Sequence, residues 1–482
     1  MKILCVLLAL VLLAGCSETG NPPAAEEKLV SFDVYAVNDL HGKLDDTEFQ
    51  PGVDELSTYL KQAGQERNTI LLATGDMWQG ASESNLTGGL IVTEWMNQMD
   101  FAAMTMGGHE FDWGQEQICQ NRELAEFPFL GINIYSRETD KQVDYCQSSV
   151  VVEIEGAQIG IIGAIGNCYY SIASDKREDI YFITGDALTA LVREEAKKLR
   201  SAGVDFIIYA IHDGSDQKTP TDTTIRDTEL KSYYDIALSE GDVDLVFEAD
   251  THYRYALTDR YGVYHLQAGG NNNGISHARV LLDLSSGEST VYAAELVTAP
   301  QYQYLTDDPV VAQLMEKYSQ QIAPSTRILG TNSQYRSKDS ICQLVADLYC
   351  EKGIQRWGEE YDIVLGGGYI SCRSPGYLPK GEVSYSQLMS LLPFDNAITL
   401  CSIRGRDLIS RFLETELDAY YIKTTVYGDA LRIDPDALYY VVTDTYSANY
   451  TYNHMTVIDT YDPDVFARDL VADYISAGGL QH

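Results

Sequence analysis

Five short segments of this chain carry aspartate, four of them with histidine at close spacing: Asn38-Asp39-Leu40-His41-Gly42, Gly75-Asp76-Met77-Trp78-Gln79-Gly80, Gly107-Gly108-His109-Glu110-Phe111-Asp112, Ile211-His212-Asp213-Gly214 and Glu248-Ala249-Asp250-Thr251-His252. Four of the eight histidines, His41, His109, His212 and His252, fall in them, a concentration that histidines scattered over a surface would not show. Taken singly, each has an ordinary reading as a turn residue or a hydrogen-bonded buried histidine. Taken together they point to one site. Carboxylate oxygen and imidazole nitrogen as a mixed donor set favour Zn²⁺, Mn²⁺ or Fe²⁺ over the all-oxygen surroundings of Ca²⁺. An aspartate between two such ions bridges them at about 3.5–4 Å, and the pair then activates water while holding phosphoryl oxygens. The chemistry that suits this set is metal-assisted hydrolysis.

Each segment follows an apolar, β-type run. Strands are expected at Leu29 to Val37, Thr69 to Thr74, Ala102 to Met106, Gln158 to Ala164, Phe206 to Ile211 and Leu245 to Phe247, with helical patterns at Val53 to Ala63, Leu90 to Met99 and Asp186 to Arg200. That alternation predicts a layered α/β fold. In open α/β sheets the ligand crevice lies at the carboxyl ends of the strands, so the strand ends deliver Asp and His to one place. Further strands at Val263 to Gln267, Ser276 to Leu284 and Thr290 to Leu296 follow without helices and are expected to close the layer in antiparallel fashion. A polar helical stretch from Asp307 to Gln321 reads as a connector, and a second α/β region runs from about Tyr335 to the end.

The order Asp-x-His, Gly-Asp-x-x-x-Gly, Gly-x-His-Glu-Phe-Asp, strand-His and x-x-His resembles the calcineurin-like metallophosphoesterases, specifically the bacterial 5′-nucleotidase/UDP-sugar hydrolase group. The resemblance implies a four-layer α/β sandwich over 29–305, a linker helix and hinge over 306–334 with the hinge near Pro324 to Gly330, and a smaller α/β substrate-binding domain over 335–482. It implies that Asp39, His41, Asp76 and His252 hold a first divalent ion (Mn²⁺, Zn²⁺ or Mg²⁺), with Asp76 bridging to a second. His109 and Asp112 match the family's catalytic pair, the histidine over the phosphate and the aspartate orienting it. At the second ion the chain departs from the pattern: Gly108 stands where the family has a ligating Asn, and Asp250 where it has a histidine, leaving Asp76, His212 and Asp250. The later region resembles the family's C-terminal domain through Arg336-Ser337-Lys338-Asp339-Ser340, the Gly366-Gly367-Gly368 loop with Arg373, Leu392-Pro393-Phe394-Asp395-Asn396 and Thr443-Asp444-Thr445-Tyr446. By that likeness Phe394 and Tyr446 stack on a nucleotide base while Arg336 and Arg373 contact its ribose or phosphate. Leu365 replaces the usual Asn before the glycines, and Ala448-Asn449-Tyr450-Thr451 replaces a Gly-Gly-Asp-Gly signature.

The 482 residues carry 34 Lys and Arg against 71 Asp and Glu, a net charge of −37, which excludes nucleic-acid binding by charge neutralisation. At the N-terminus, Met1-Lys2 leads into an apolar run to Leu13 and then Ala14-Gly15-Cys16. That run is shorter than the ~20 residues a membrane span needs and has the plan of a secretory signal. Its ending resembles the lipobox of bacterial lipoproteins, which implies cleavage after residue 15, lipidation of Cys16, a flexible tether over 16–28 and an extracytoplasmic, membrane-anchored body. In such surroundings thiols can pair, and Cys119 and Cys146 flank a loop that a disulfide could close, whereas Cys342 and Cys350 lie too far apart along a helix. Three functions stay open: a nucleotide phosphohydrolase for scavenging, a nucleotide-binding lipoprotein disabled by Gly108 and Asp250, and a hydrolase of cyclic nucleotides or UDP-sugars.

Overall fold

The computed structural model describes residues 28–45, 52–214, 242–259, 261–370, 372–373, 375–413, 422–428, 432–449 and 454–481; the expected leader and Cys16 lie outside these residues. The first unit is built on β1 (Leu29–Val37), β2 (Thr69–Ala73), β3 (Ala103–Thr105), β4 (Phe129–Leu130), β5 (Ser149–Ile154), β6 (Ala157–Ile165), β7 (Phe206–His212), β8 (Leu245–Phe247), β9 (Arg254–Thr258), β10 (Tyr264–Ala268), β11 (Gly274–Asp283) and β12 (Glu288–Thr298). They form two six-stranded sheets, ordered β12-β11-β1-β2-β3-β4 and β9-β10-β8-β7-β6-β5. β1 to β4 run parallel to one another in the first sheet, and β6, β7, β8 and β10 do so in the second.

Alternation along each strand sorts the side chains into layers. Val30, Phe32, Val34 and Ala36 of β1 face Ile159 and Ile161 of β6 and Phe206 and Ile208 of β7, so one core fills the space between the sheets. Phe32 meets Phe206 edge to face with ring centroids 5.9 Å apart. The other face of β1, through Tyr35 and Val37, packs with Leu56, Leu60 and Trp95 of helices Val53–Glu66 and Leu90–Gln98. The outer face of the second sheet is covered by Leu188, Val192, Ala196 and Leu199 of helix Gly185–Ser201. The result is helix, sheet, sheet, helix, a four-layer α/β sandwich. Two expectations change. β10 does not close the layer of β1; it lies parallel to β8 in the second sheet, and only β11 and β12 complete the first. The expected connector is a wall of the first unit: helix Pro309–Lys317 buries Val310, Val311 and Leu314 in the core that holds Trp95.

The second unit is a five-stranded sheet of β13 (Ile363–Tyr369), β14 (Ile398–Arg404), β15 (Ile422–Val426), β16 (Leu438–Asp444) and β17 (Thr456–Thr460), ordered β15-β13-β16-β14-β17. Helices Lys338–Trp357 and Ala467–Ser476 bury Ile341, Val345, Leu348, Leu470 and Ile475 with Leu400 and Val442 of the sheet. The glycine triplet is part of β13 rather than a loop. Its small size lets helix Lys338–Trp357 approach the strand: a Cβ on Gly366 would stand 2.6 Å from Cys350 Cα. Cys119 and Cys146 are both free thiols, Cys146 buried in the first core and Cys119 exposed on helix Gln115–Leu124, while Cys342 and Cys372 bring their sulfurs to 3.5 Å as thiols. Among the described residues no helix is long and apolar enough to cross a membrane.

Two glycines give opposite expectations. Gly366→Ala forces helix and strand apart and should lower stability by about 1–3 kcal/mol, as overpacking does. Gly64→Ala, on an exposed helix face with no atom within 4 Å of the added carbon, should raise it by about 0.5–1 kcal/mol. Urea denaturation of the two variants beside the parent protein checks both signs.

Candidate metal centre and substrate cleft

The carboxyl ends of β1, β2, β3, β7 and β8 open on one edge of the two sheets, and the turns beyond them are stitched together. Asp39 N–H donates to Gly75 O at 3.0 Å and His41 N–H to Asp76 O at 3.0 Å. The Asp250 N–H donates to the Asp39 carboxylate at 3.1 Å. Asp39, His41, Asp76, Asp250 and His252 all hold positive φ angles, between 49° and 67°. Non-glycine residues in that region cost on the order of 1–3 kcal/mol each and persist only where the surroundings over-determine them. The turns therefore aim side chains at one another at the expense of backbone comfort.

Asp39, His41, Asp76 and His212 are buried, and His252 and Asp250 reach the edge of the cleft. The His41 Nδ1 pairs with Gln79 O at 3.0 Å, which leaves Nε2 facing the His252 Nε2 at 3.1 Å. His212 likewise uses Nδ1 on Thr74 O at 2.6 Å, and its Nε2 lies 3.2 Å from Asp76 Oδ1. That close approach lacks hydrogen-bond alignment, so the buried Nε2 has no hydrogen-bond partner. His252 Nε2 is 3.4 Å from Asp39 Oδ1. Imidazole lone pairs pointed at each other and at buried carboxylates are the arrangement a cation completes. Three groups have donor atoms within 4.8 Å of one another: Asp39, His41 and His252; Asp39, Asp76 and His212; and Cys168, His212 and Asp250. Asp39 is common to the first two groups and His212 to the last two, a mixed carboxylate and imidazole donor set that fits divalent ions.

Electrostatics express the same excess of negative charge. Burial lowers the His212 pKa, yet Asp76, Asp39 and Asp250 overcome it and hold the ring well above its ordinary value. Burial and the neighbouring His252 push His41 well below its own. Burial, with Asp76, Asp39 and Asp213 close by, raises Asp250 to about 6. Burial would raise Asp76 as well, but His212 and His109 hold it far down. Glu110 is a support of this centre and not a donor to it: its carboxylate accepts from the backbone N–H groups of Asp76 at 2.8 Å, Met77 at 2.8 Å and Gly107 at 2.7 Å. Burial and the Asp76 charge raise its pKa to about 7.

His109 sits beside this centre, its Nδ1 2.9 Å from Asp112 Oδ2 and its backbone N–H on Asp76 Oδ1 at 2.8 Å. Burial lowers its pKa, but Asp112 and Asp76 outweigh that and raise it. From the second unit, Arg373 Nη2 reaches His109 Nε2 at 2.8 Å, and the Phe394 ring lies 5.5 Å from the imidazole and 5.1 Å from the Arg373 guanidinium carbon. These residues bound a cleft of about 740 Å³ between the units, with Asp76, His109 and Asp250 on one wall and Arg373, Phe394 and Tyr446 on the other. Arg468 fixes the Phe394 loop by donating to Pro393 O and Phe394 O at 3.2 Å and pairing with Asp395. Across the cleft Ser82 Oγ meets Ser386 Oγ at 2.7 Å and Asn85 Nδ2 donates to Pro393 O at 3.2 Å.

Arg336 donates from Nε to Asn332 Oδ1 at 3.1 Å and is not among the residues that bound this cleft or the adjoining one of about 380 Å³; Lys338, two residues on, lines the smaller cleft with His41, His252 and Arg373. Cys168 also stands at this centre, with its donor atom grouped with those of His212 and Asp250; Gly166-Asn167-Cys168 follows the strand expected at Gln158 to Ala164, so the rule that strand ends carry the site points to it.

No family model matches the chain. An apyrase from Tabanus yao is 26% identical over 434 residues, spanning 81% of this chain and 74% of its own. A 5′-nucleotidase from Vibrio vulnificus is 21% identical over 461 residues, spanning 83% of this chain and 78% of its own. The crystal structure of a 5′-nucleotidase precursor from Thermus thermophilus superposes with a TM-score of 0.72 over 93% of this chain and 96% of that one, at 16% identity, which shows the shared two-domain fold.

Glu110 supplies a test of how the centre is held. Glu110→Ala leaves three buried N–H groups without an acceptor, each costing about 1–3 kcal/mol, and should lower the urea midpoint more than Glu110→Gln, which keeps one acceptor oxygen. The folded pKa of about 7 lies above the ordinary 4.5, so in chelated protein the Glu110 contribution is fully present below pH 4.5 and lost as pH rises through 7. Glu110→Gln should flatten that part of the stability profile.

Proposed function

We propose that this chain, whose relatives and fold support membership of the 5′-nucleotidase/UDP-sugar hydrolase family, is a metal-dependent hydrolase that removes phosphate from nucleotides outside the cell. The observation that carries the reading is the His109–Asp112 pair beside Asp76, facing a cleft whose opposite wall offers Arg373, Phe394 and Tyr446. Asp39, His41 and His252, together with Asp76, would hold the first ion, and Asp76, His212 and Asp250 would contribute to the second; the close donor groups Asp39, His41 and His252 and Asp39, Asp76 and His212 support that division. Zn²⁺ or Mn²⁺ suits the mixed nitrogen and oxygen donors of the first position. Bound divalent ions supply an activated water and neutralise charge developing on phosphoryl oxygens.

The protein's own groups do the rest. Asp112 accepts from His109 Nδ1–H and so directs Nε2 toward the cleft, where the protonated ring, favoured by Asp112 and Asp76, donates Nε2–H to a phosphoryl or leaving-group oxygen once a substrate displaces Arg373. Arg373 then pairs with the phosphate as a charge-assisted donor. Phe394 and Tyr446 take the base. Secretion and anchoring through Cys16, read from the Leu13-Ala14-Gly15-Cys16 ending, set this activity on the outer face of a bacterial membrane. Gly108 and Asp250 favour a second reading, a nucleotide binder that has lost turnover.

Two experiments decide between them. Chelated protein should release no phosphate from AMP and regain activity with Mn²⁺ or Zn²⁺, and His109→Ala should lower kcat by about 10²–10⁴ with nucleotide affinity kept. AMP binding without turnover under every metal tried would favour the binder. Phe394→Ala and Tyr446→Ala should each weaken nucleotide affinity by about 1–3 kcal/mol, the worth of one stacked base, while Arg336→Ala leaves KM near that of the parent protein.

A further inference from the structure

At the second metal position residue 108 brings no side chain, and a donor stands there from another strand. β6 ends at Ile165 beside His212 of β7. The backbone beyond it is tied to the same strand end: Gly166 N–H donates to His212 O at 3.0 Å and Asn167 N–H to Asp213 Oδ2 at 2.7 Å. Cys168 follows, with its sulfur 3.1 Å from the His212 carbonyl oxygen. The ligand atoms of Cys168, His212 and Asp250 lie within 4.8 Å of one another, and the buried His212 Nε2 has no hydrogen-bond partner of its own. The same turn borders Gly108, where an added Cβ would stand 3.4 Å from Ser171 Oγ and 3.8 Å from Cys168 O. The turn that carries the thiol therefore borders the place from which a side chain at 108 is missing.

We propose that Cys168 is a thiolate ligand of the second metal ion, replacing the donor that Gly108 lacks, and that it makes this position selective for a thiophilic ion such as Zn²⁺ over Mg²⁺. The assignment rests on the metallophosphohydrolase reading above for the presence of a second ion. Thiolate favours Zn²⁺ where carboxylate and water favour Mg²⁺ and Mn²⁺. On binding, the thiol gives its proton to solvent and the sulfur lone pair to the ion, so one proton is released for the bond formed. Asp250, a hard donor in the place of an imidazole, is thereby balanced by a soft one. The two ion positions differ in kind, since the first draws only on carboxylate and imidazole.

Cobalt reports the bond directly, because a sulfur-to-Co²⁺ charge-transfer band appears in the near ultraviolet only when thiolate is coordinated. The full chain, chelated and dialysed against two equivalents of Co²⁺, should show the band. Cys168→Ser should lose it and bind its second ion at least about 10–100-fold more weakly, since loss of even an outer partner costs that much. The first ion should stay bound, and the metal-free melting temperature should match the parent. Two bound Co²⁺ ions without the band in the parent protein would overturn the assignment, as would a band that survives in Cys168→Ser, which would come from another thiol. Turnover separates the two claims. The Cys168-dependent band without phosphate release from any nucleotide sustains the ligand and sinks the hydrolase, whereas phosphate release without the band does the reverse.

Discussion

A buried excess of negative charge governs this molecule. Asp39 and Asp76 lie at the junction of two sheets, Asp250 stands beside them, and His41 and His212 each anchor Nδ1 on a backbone carbonyl and turn Nε2 toward the centre. Like charges in a low-dielectric interior are tolerated only when a cation or a hydrogen-bond network offsets them. Everything nearby serves that need. The parallel strands bring their carboxyl ends to one edge, Glu110 gathers three backbone N–H groups to hold the Asp76 turn, and positive φ angles at five residues orient the donors. Metal loading and folding are accordingly linked: the ion repays strain and repulsion that the chain alone sustains.

What could be read from the sequence divides along a physical line. Strands such as Leu29–Val37 and Phe206–His212 are apolar through most of their length because both faces are covered, and the polar segments beyond them stand out against that background. Features set by distant partners were not legible. Arg336 donates to Asn332, which also anchors Pro379 O, and nothing in the local sequence announces that contact. The glycine triplet looks like a turn but is flattened into β13 by its pairing with β15 and β16. The stretch from Asp307 to Gln321 reads as a polar connector, yet helix Pro309–Lys317 within it turns Val310, Val311 and Leu314 into the first core. Cys168 follows the carboxyl end of β6, but a lone thiol carries no spacing of its own, and only the position of that strand end marks it.

The second unit is organised around presentation. Its own core is closed by two helices on the sheet, and the residues that reach the cleft come from its connecting segments: Arg373 after β13, Phe394 before β14 and Tyr446 after β16. Arg468, buried and bonded to two carbonyls and Asp395, fixes the Phe394 loop from behind. Rigid backing of this kind is what keeps a stacking ring useful, because an aromatic side chain that must be ordered on binding gives up part of its gain.

The two walls of the cleft belong to separate hydrophobic cores and touch through a few polar contacts, among them Ser82 with Ser386 and Asn85 with Pro393. The separation between the stacking rings and the metal residues therefore works as a ruler, set by how the units dock rather than by the shape of either wall. Divergence can act on one module and spare the other. On the proposed reading, a change at the docking contacts would retune which phosphate of a chain is presented while leaving both sets of side chains as they are.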